Sequence, residues 1–475
     1  MGFVVKDERE AAVRGAYQFP PGFQRNLLWF AFRRFRPANP IYLFEHLVEQ
    51  YGDIAHYKIG WNHILFLNHP DYIREVLVVQ NDNFIKERTV QRSKMLLGEG
   101  MITAEGAQHR AQRQTAQPAF HRQRIPEYAS TIVREAAYTR ETWRAGERRD
   151  IAIDMMHLTL NVVAQTLFAT DLREQSGDEV HELADAINRI MGLYNFLVML
   201  PAAEWLVHVR PPGLAAFVRA RKRIDAVVYR MIEAHRRQRS DRGSSVDGSL
   251  LDMMLAASPD RSPESEQSLR DQVITIFLAG YETVANALAW TWYLLSENPD
   301  CERRMQAEVD RELQGRLPGY DDVPRLRYTE MVLAESMRLY PPAWAMGRYA
   351  LADFRLGDYF LPAKTTVLMS QFILHRDARF FPDPLRFDPE RFTPEAKARR
   401  VKFSYFPFGA GARQCIGESF AWMEGVLVLA TLAQKWKLSL VPGHRVEPQP
   451  LITLRPRYGM RMVVEGRGIE SNSPL

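Results

Sequence analysis

The sequence predicts a mainly α protein with a small β portion. Three observations carry that expectation. Long stretches repeat apolar residues at helical spacing, over Ile125–Ala145, Asp154–Thr170, Gly177–Leu193 and Leu214–Arg239. Short strand-like runs bounded by turn residues are few: Ile54–Ile59 and His63–Leu67 around Gly60-Trp61-Asn62, Phe354–Leu356 and Tyr359–Leu361 around Gly357-Asp358, and Thr365–Ser370. One run beginning at Ser268 and ending near Asn298 is apolar on nearly every side, which predicts a buried helix of roughly 30 residues and about 45 Å.

Taken in order, the residues before about 40 are rich in Pro, Arg and aromatics and read as a wrapped arm. Pro40–Tyr51 reads as an amphipathic helix and Pro70–Val79 as a short one. From there to about Gly100 the pattern is irregular, polar and basic, which predicts a long loop. Glu105–Phe120 carries His109 and Arg113, four apart and so on one face of a helix. Their bland reading is a solvated basic face. Asn195–Val209 is apolar and broken by Pro201; it fits either core or a greasy pocket entrance. The Ser-rich stretches 240–246 and 258–267 read as polar loops. No internal repeat or low-complexity tract divides the chain.

Composition narrows the class of protein. Apolar residues make up 46% of 475 residues, enough for a large core, and the net charge of +5 is too modest to signal nucleic-acid binding. Two cysteines exclude a disulfide scaffold and fit a reducing, cytoplasmic setting. No secretory leader is visible. The run Leu27–Phe32 falls far short of the roughly 20 residues a spanning helix needs. These features predict a soluble protein with no membrane anchor.

Two stretches carry chemistry. The first lies inside the long helix, at Ala279-Gly280-Tyr281-Glu282-Thr283. Gly280 costs a helix interior about 1 kcal/mol relative to Ala. A buried Glu282 costs more unless it is paired or reached by water. Thr283 can bond back to the carbonyl four residues earlier and loosen the turn. One reading is structural, with a glycine for close helix packing and a glutamate in an ion pair. The other is a widened turn over a reactive centre, with an acid and an alcohol to relay protons.

The second is Phe408-Gly409-Ala410-Gly411-Ala412-Arg413-Gln414-Cys415-Ile416-Gly417, followed by the helical run Glu418–Ala430. Gly409 and Gly411 allow a sharp bend, and Gly417 allows a large flat group to approach the backbone. The positive end of the following helix and the nearby Arg413 favour a thiolate at Cys415. Such a thiolate is a nucleophile, a redox centre or a metal ligand. A bent loop that presents one sulfur, with free backbone amides around it, suits axial ligation of haem iron.

The ten-residue pattern resembles the haem-binding signature of the cytochrome P-450 family of haem-thiolate monooxygenases. Phe408, Gly409, Gly411, Arg413, Cys415 and Gly417 fill every fixed position of it. Residues 279–283 resemble the family's oxygen-activation motif. Glu335 and Arg338, three apart on the helix Thr329–Leu339, would alone be a surface pair worth about 0.2–0.5 kcal/mol. With Phe387-Asp388-Pro389-Glu390-Arg391-Phe392 they are similar to the family's Glu-x-x-Arg pair completed by an arginine. That implies a buried triad of Glu335, Arg338 and Arg391 that fixes the loop holding Cys415. The resemblance runs from about Tyr51 to Leu454, with the motifs in family order.

What the resemblance implies can be stated residue by residue. The fold is mainly α with a small β portion, a single haem domain over residues 1–475, of soluble bacterial type, with haem b between the long helix and the Cys415 loop. Cys415 ligates the iron. His109, Arg113, Arg348 and Arg413 face the haem propionates; many relatives have Trp where His109 stands. Ala279 and Gly280 lie against the haem, and Thr283 and Glu282 relay protons. Phe277, Ala343, Trp344, Met346 and Ile452 line an apolar substrate pocket, with contributions from the 80–100 loop and residues 196–205. The substrate is lipid-, terpenoid- or polyketide-like. No fused reductase is expected, so electrons come from a ferredoxin with its reductase, docked on basic groups such as Lys397, Arg399, Arg400, Lys402, Arg122 and Arg124. A haem-thiolate isomerase, dehydratase or peroxygenase shares Cys415 without needing the acid–alcohol pair, and in a non-enzymatic haem carrier or sensor a widened, proton-relaying helix has no role. Cys301, at a helix start with no glycine loop, reads as packing.

Overall fold

The computed structural model describes residues 17–23, 39–170, 212–241, 249–258 and 260–467, with side chains in the helix 212–241 described over 218–237. Gly177–Leu193 and the pocket contributions from residues 196–205 lie outside these. The longer helices are α1 (Pro40–Tyr51), α2 (Gly106–Ala116), α3 (Ile125–Thr142), α4 (Ile151–Phe168), α5 (Pro212–Asp241), α6 (Leu250–Ala257), α7 (Pro263–Glu297), α8 (Pro299–Leu313), α9 (Arg327–Leu339) and α10 (Glu418–Ala433). The strands are β1 (Ile54–Ile59), β2 (Asn62–Leu67), β3 (Phe84–Lys86), β4 (Arg148–Asp150), β5 (Met346–Ala350), β6 (Phe354–Leu356), β7 (Tyr359–Leu361), β8 (Thr366–Met369), β9 (Trp436–Leu440), β10 (Pro448–Pro450), β11 (Leu454–Pro456) and β12 (Arg461–Gly466). The mainly α expectation is met.

The chain falls into two compact units. The first comprises Met1–Gln91, Ala343–Arg386 and Arg399–Cys415. It is built on a five-stranded sheet in the order β1-β2-β8-β5-β3, in which β2 and β8 run parallel and the other pairs antiparallel. Ile54, Leu65, Leu67, Phe84, Val367, Met369 and Phe406 sit in its apolar core. Residues 17–23 form a strap over this unit: Gln18 bridges Phe360, Gly22 bridges His56, and the Phe19 ring stacks on both His56 and His63. Those two imidazoles meet at 2.9 Å between Nε2 and Nδ1. Burial, then His63, then Lys58 push His56 down to about 4.

The second unit comprises Arg92–Pro342, Phe387–Ala398 and Ile416–Leu475. α7 runs through its core, buried at nearly every position from Leu269 to Leu295. Among the described residues α7 and α4 are the two helices long and apolar enough to cross a membrane, and most of each is buried inside the fold. At their crossing a Cβ on Gly280 would stand 2.9 Å from Val163 Cγ2, so the glycine permits close approach. The Thr159 hydroxyl donates to the Tyr281 carbonyl at 2.9 Å and fixes the register of the two helices.

Two elements differ from the sequence expectation. The stretch 80–100 is not a loop. It holds β3 and short helices at Arg88–Arg92 and Lys94–Leu97, too brief to show a period in the sequence. α7 begins at Pro263, not Ser268, and spans 35 residues. Ser262 is its N-cap, accepting from the Ser265 amide at 3.2 Å, with Pro263 at the first helical position. A Ser-rich stretch read as loop is the capping turn and first turn of the helix.

Candidate active site

The Cys415 loop belongs to the first unit. Gly409 and Gly411 have φ of +71° and +72°, a region side-chain-bearing residues rarely adopt. At Gly411 a Cβ would also fall 2.1 Å from the Leu77 carbonyl oxygen, so no larger residue fits. The bend closes on its own amides: Gly409 N–H donates to Phe406 O at 3.0 Å, Gln414 N–H to Gly411 O at 3.0 Å, and Cys415 N–H to Phe408 O at 2.9 Å. Three amides of the loop, those of Gly409, Gln414 and Cys415, are therefore engaged within it. Gly417 has φ −88°, which demands no glycine. Cys415 itself is exposed.

Sequence reasoning missed the anchor of this loop. His375 is fully buried, and its Nε2 accepts the Phe406 amide at 3.1 Å. Arg413 donates to the Phe84 carbonyl at 2.7 Å, tying the loop to β3. Arg348 is buried on β5, between Lys86 on β3 and Val367 on β8. Trp344 is buried, while Ala343 and Met346 are half-buried.

In the second unit, α7 stays α-helical from end to end, so the expected widened turn is absent. The Thr283 hydroxyl donates to the Ala279 carbonyl at 2.8 Å, sharing that acceptor with the helix ladder. Ala279, Gly280 and Thr283 are nevertheless half-exposed in a helix otherwise buried here, and they share one face. Phe277 is buried, its ring 5.9 Å from Phe168 and 6.0 Å from Tyr281.

Glu282, by contrast, is 3% exposed. Its Oε1 accepts from Arg455 Nε at 2.9 Å and from the Thr453 hydroxyl, and Arg455 Nη2 lies 2.8 Å away. The close packing at Gly280 and the ion pair at Glu282 are thus both present. Ile452, expected in a pocket, is 44% exposed. His109 is buried on α2 and Arg113, one turn on, is half-buried, so this is not a solvated basic face. Lys397 pairs with Glu330 at 2.9 Å, and Arg124 with Glu127 at 2.9 Å.

The triad residues come together. Arg338 Nε and Nη2 donate to the two oxygens of Glu335 at 2.7 and 2.8 Å, and both side chains are fully buried. The Asp388 amide donates to Glu335 Oε1 at 2.9 Å, and Arg391 Nε lies 3.5 Å from the same oxygen. Burial pushes this carboxyl upward, and Arg338, the Asp388 amide and Arg391 pull it back.

Each unit taken by itself offers groups of the kind a dianionic porphyrin with a thiolate ligand takes: in the first, the exposed Cys415 on its glycine-bent loop and the buried Arg348; in the second, the buried His109, the half-buried Arg113 and the small residues Ala279 and Gly280. The comparisons agree. The sequence profile of the family described as Cytochrome P450 matches residues 20–460. The cyclooctatin synthase of Streptomyces melanosporofaciens is 36% identical, over 88% of this chain and 89% of that protein. The cyclooctat-9-en-7-ol 5-monooxygenase of the same organism is 35% identical over 83% and 84%. The pentalenene oxygenase of Streptomyces avermitilis is 30% identical over 88% and 91%. The chain belongs to the cytochrome P450 family. It is a haem-thiolate monooxygenase acting on an apolar substrate.

Proposed function

We propose that this monooxygenase oxidises a terpenoid, a polycyclic isoprenoid hydrocarbon or its alcohol, with haem b held through Cys415. What supports the substrate class is the chemistry named for the relatives, together with the apolar character of Phe277, Ala343, Trp344 and Met346, the proposed pocket residues. When bound, haem held by the Cys415 thiolate would supply dioxygen activation, with two electrons from the partner and two protons letting one oxygen atom enter the substrate and the other leave as water. The chain's own residues bind and orient. His109, Arg113, Arg348 and Arg413 hold the propionates, since cations paired with carboxylates are strong partners. Thr283 and Glu282 carry protons toward the reacting face of α7. The Glu335 triad holds the backbone of residue 388.

The partner is a ferredoxin with its reductase, reaching a basic surface that includes Arg399, Arg400 and Lys402, in the cytoplasm. The single observation that carries the cofactor reading is the Gly409–Gly411 bend ending in an exposed Cys415. A carbon monoxide difference spectrum of the reduced protein tests it. The expected result is the long-wavelength thiolate band, lost in Cys415→Ser; a band that survives that substitution overturns the assignment. Electron transfer from the ferredoxin falls steeply with added salt, and a salt-independent rate removes the docking surface.

A further inference from the structure

One stripe of α7 is stitched to the segment that follows β10. Glu282, Asn286 and Trp290 lie four apart, one above another on the same face. Glu282 takes Thr453 and Arg455. Asn286 Nδ2 donates to Thr453 Oγ1 at 3.1 Å. Trp290 Nε1 donates to the Leu454 carbonyl at 2.9 Å, and the Leu454 amide donates to Pro342 O at 2.9 Å. A threonine hydroxyl has one proton. Because the amide of Asn286 is a donor, Thr453 accepts from it and must spend its own proton on Glu282. Every contact of Glu282 named here converges on Oε1. Leu454 is locked from both sides, whereas its neighbour Ile452 is partly exposed.

We propose that Arg455 and Thr453 are positioning residues that make the orientation of the Glu282 carboxylate and the binding of an apolar ligand against the exposed Ile452 side chain a single equilibrium. This rests on the reading of Glu282 as the acid of the monooxygenase and of Ile452 as a pocket residue. A ligand pressing on Ile452 moves Thr453, the next residue, and with it the hydroxyl that Glu282 accepts. The acid is then held aside in the empty enzyme and released when the ligand binds. Such a device limits proton delivery, and the wasted turnover that follows it, to the loaded state. Reciprocity is required: if the ligand alters the Glu282 contacts, altering those contacts must change ligand affinity by the same factor, although neither Glu282 nor Arg455 touches the ligand.

The test uses the full-chain holoenzyme and geranylgeraniol as an apolar isoprenoid probe, with affinity read by calorimetry and, separately, the share of reducing equivalents recovered in product. Arg455→Ala and Glu282→Gln each remove the contact that holds the empty state, so each is expected to lower the probe Kd by about 5-fold, and the double variant no further, as for two ends of one link. Arg455→Lys, which keeps the charge, returns the Kd most of the way to the parent value. Thr453→Ser behaves as the parent and Thr453→Val as Arg455→Ala. The product share falls in the same order, with kcat reduced while KM falls along with the Kd. Variants that fold and bind the probe as the parent does overturn the link and leave the proposed function standing, as do Kd shifts that simply add in the double variant. A parent that does not bind the probe overturns the terpenoid reading and this inference with it.

Discussion

Two buried glutamates on helices of the same unit meet opposite circumstances. Glu335 on α9 has a bidentate arginine, a backbone amide and a second arginine around it. Glu424 on α10 is equally buried, yet neither of its carboxyl oxygens has a hydrogen-bond partner among the described residues. Burial alone pushes Glu424 well above the ordinary 4.5. Charge in an interior is tolerated where partners replace water; without them the group keeps its proton. One glutamate is the hub of an ion-pair network, and the other behaves as a bulky neutral side chain.

The largest effect expected of that contrast is at the network. Glu335→Gln or Arg338→Met leaves an uncompensated buried charge and is expected to cost about 3–5 kcal/mol, read by urea unfolding. A cost under 1 kcal/mol breaks the comparison. Gly411→Ala comes next. Its positive φ and the Leu77 carbonyl both oppose a methyl group, for an expected loss of about 2–4 kcal/mol and of the thiolate spectrum.

At Glu424 the sign reverses. The unfolded chain releases this proton above 4.5 while the folded chain keeps it, so folding stability falls as pH rises, at up to about 1.4 kcal/mol per pH unit. Glu424→Gln removes the slope. Its melting temperature is expected to match the parent near pH 4 and exceed it increasingly toward pH 7; a parallel pair of curves refutes the neutral assignment. The smallest effect is at Gly280→Ala. The helix gains about 1 kcal/mol of propensity and loses a similar amount against Val163, so the net change stays within about 1 kcal/mol. Adding Val163→Ala relieves the clash and sharpens the result into a gain.

Much of this was legible because it is local. The bend at Gly409–Gly411 follows from two glycines and needs nothing distant. Glu335 and Arg338 are one turn apart, so their pairing shows in the spacing. The partners of Glu282 do not, because Thr453 and Arg455 are 171 and 173 residues away. Nothing in Leu454-Arg455-Pro456 marks that arginine as a partner rather than a surface charge. His375 is similar: a lone histidine in an irregular stretch becomes the acceptor for Phe406 only in the folded unit. The start of α7 was misread for a different reason. Ser262 and Ser268 both suit a cap, and the proline at the first helical position decides in favour of the earlier one.

The network around Glu335 also imposes an order of events on the growing chain. Arg338 follows Glu335 by three residues, so the pair can neutralise itself as soon as that helix turn forms. Arg391 emerges 56 residues after Glu335, about 3–11 s later at ordinary rates of translation. During that interval α9 holds a charged pair whose third member has not yet been made. Sealing it from water must wait for the Phe387–Phe392 segment, whose Asp388 amide and Arg391 complete the network.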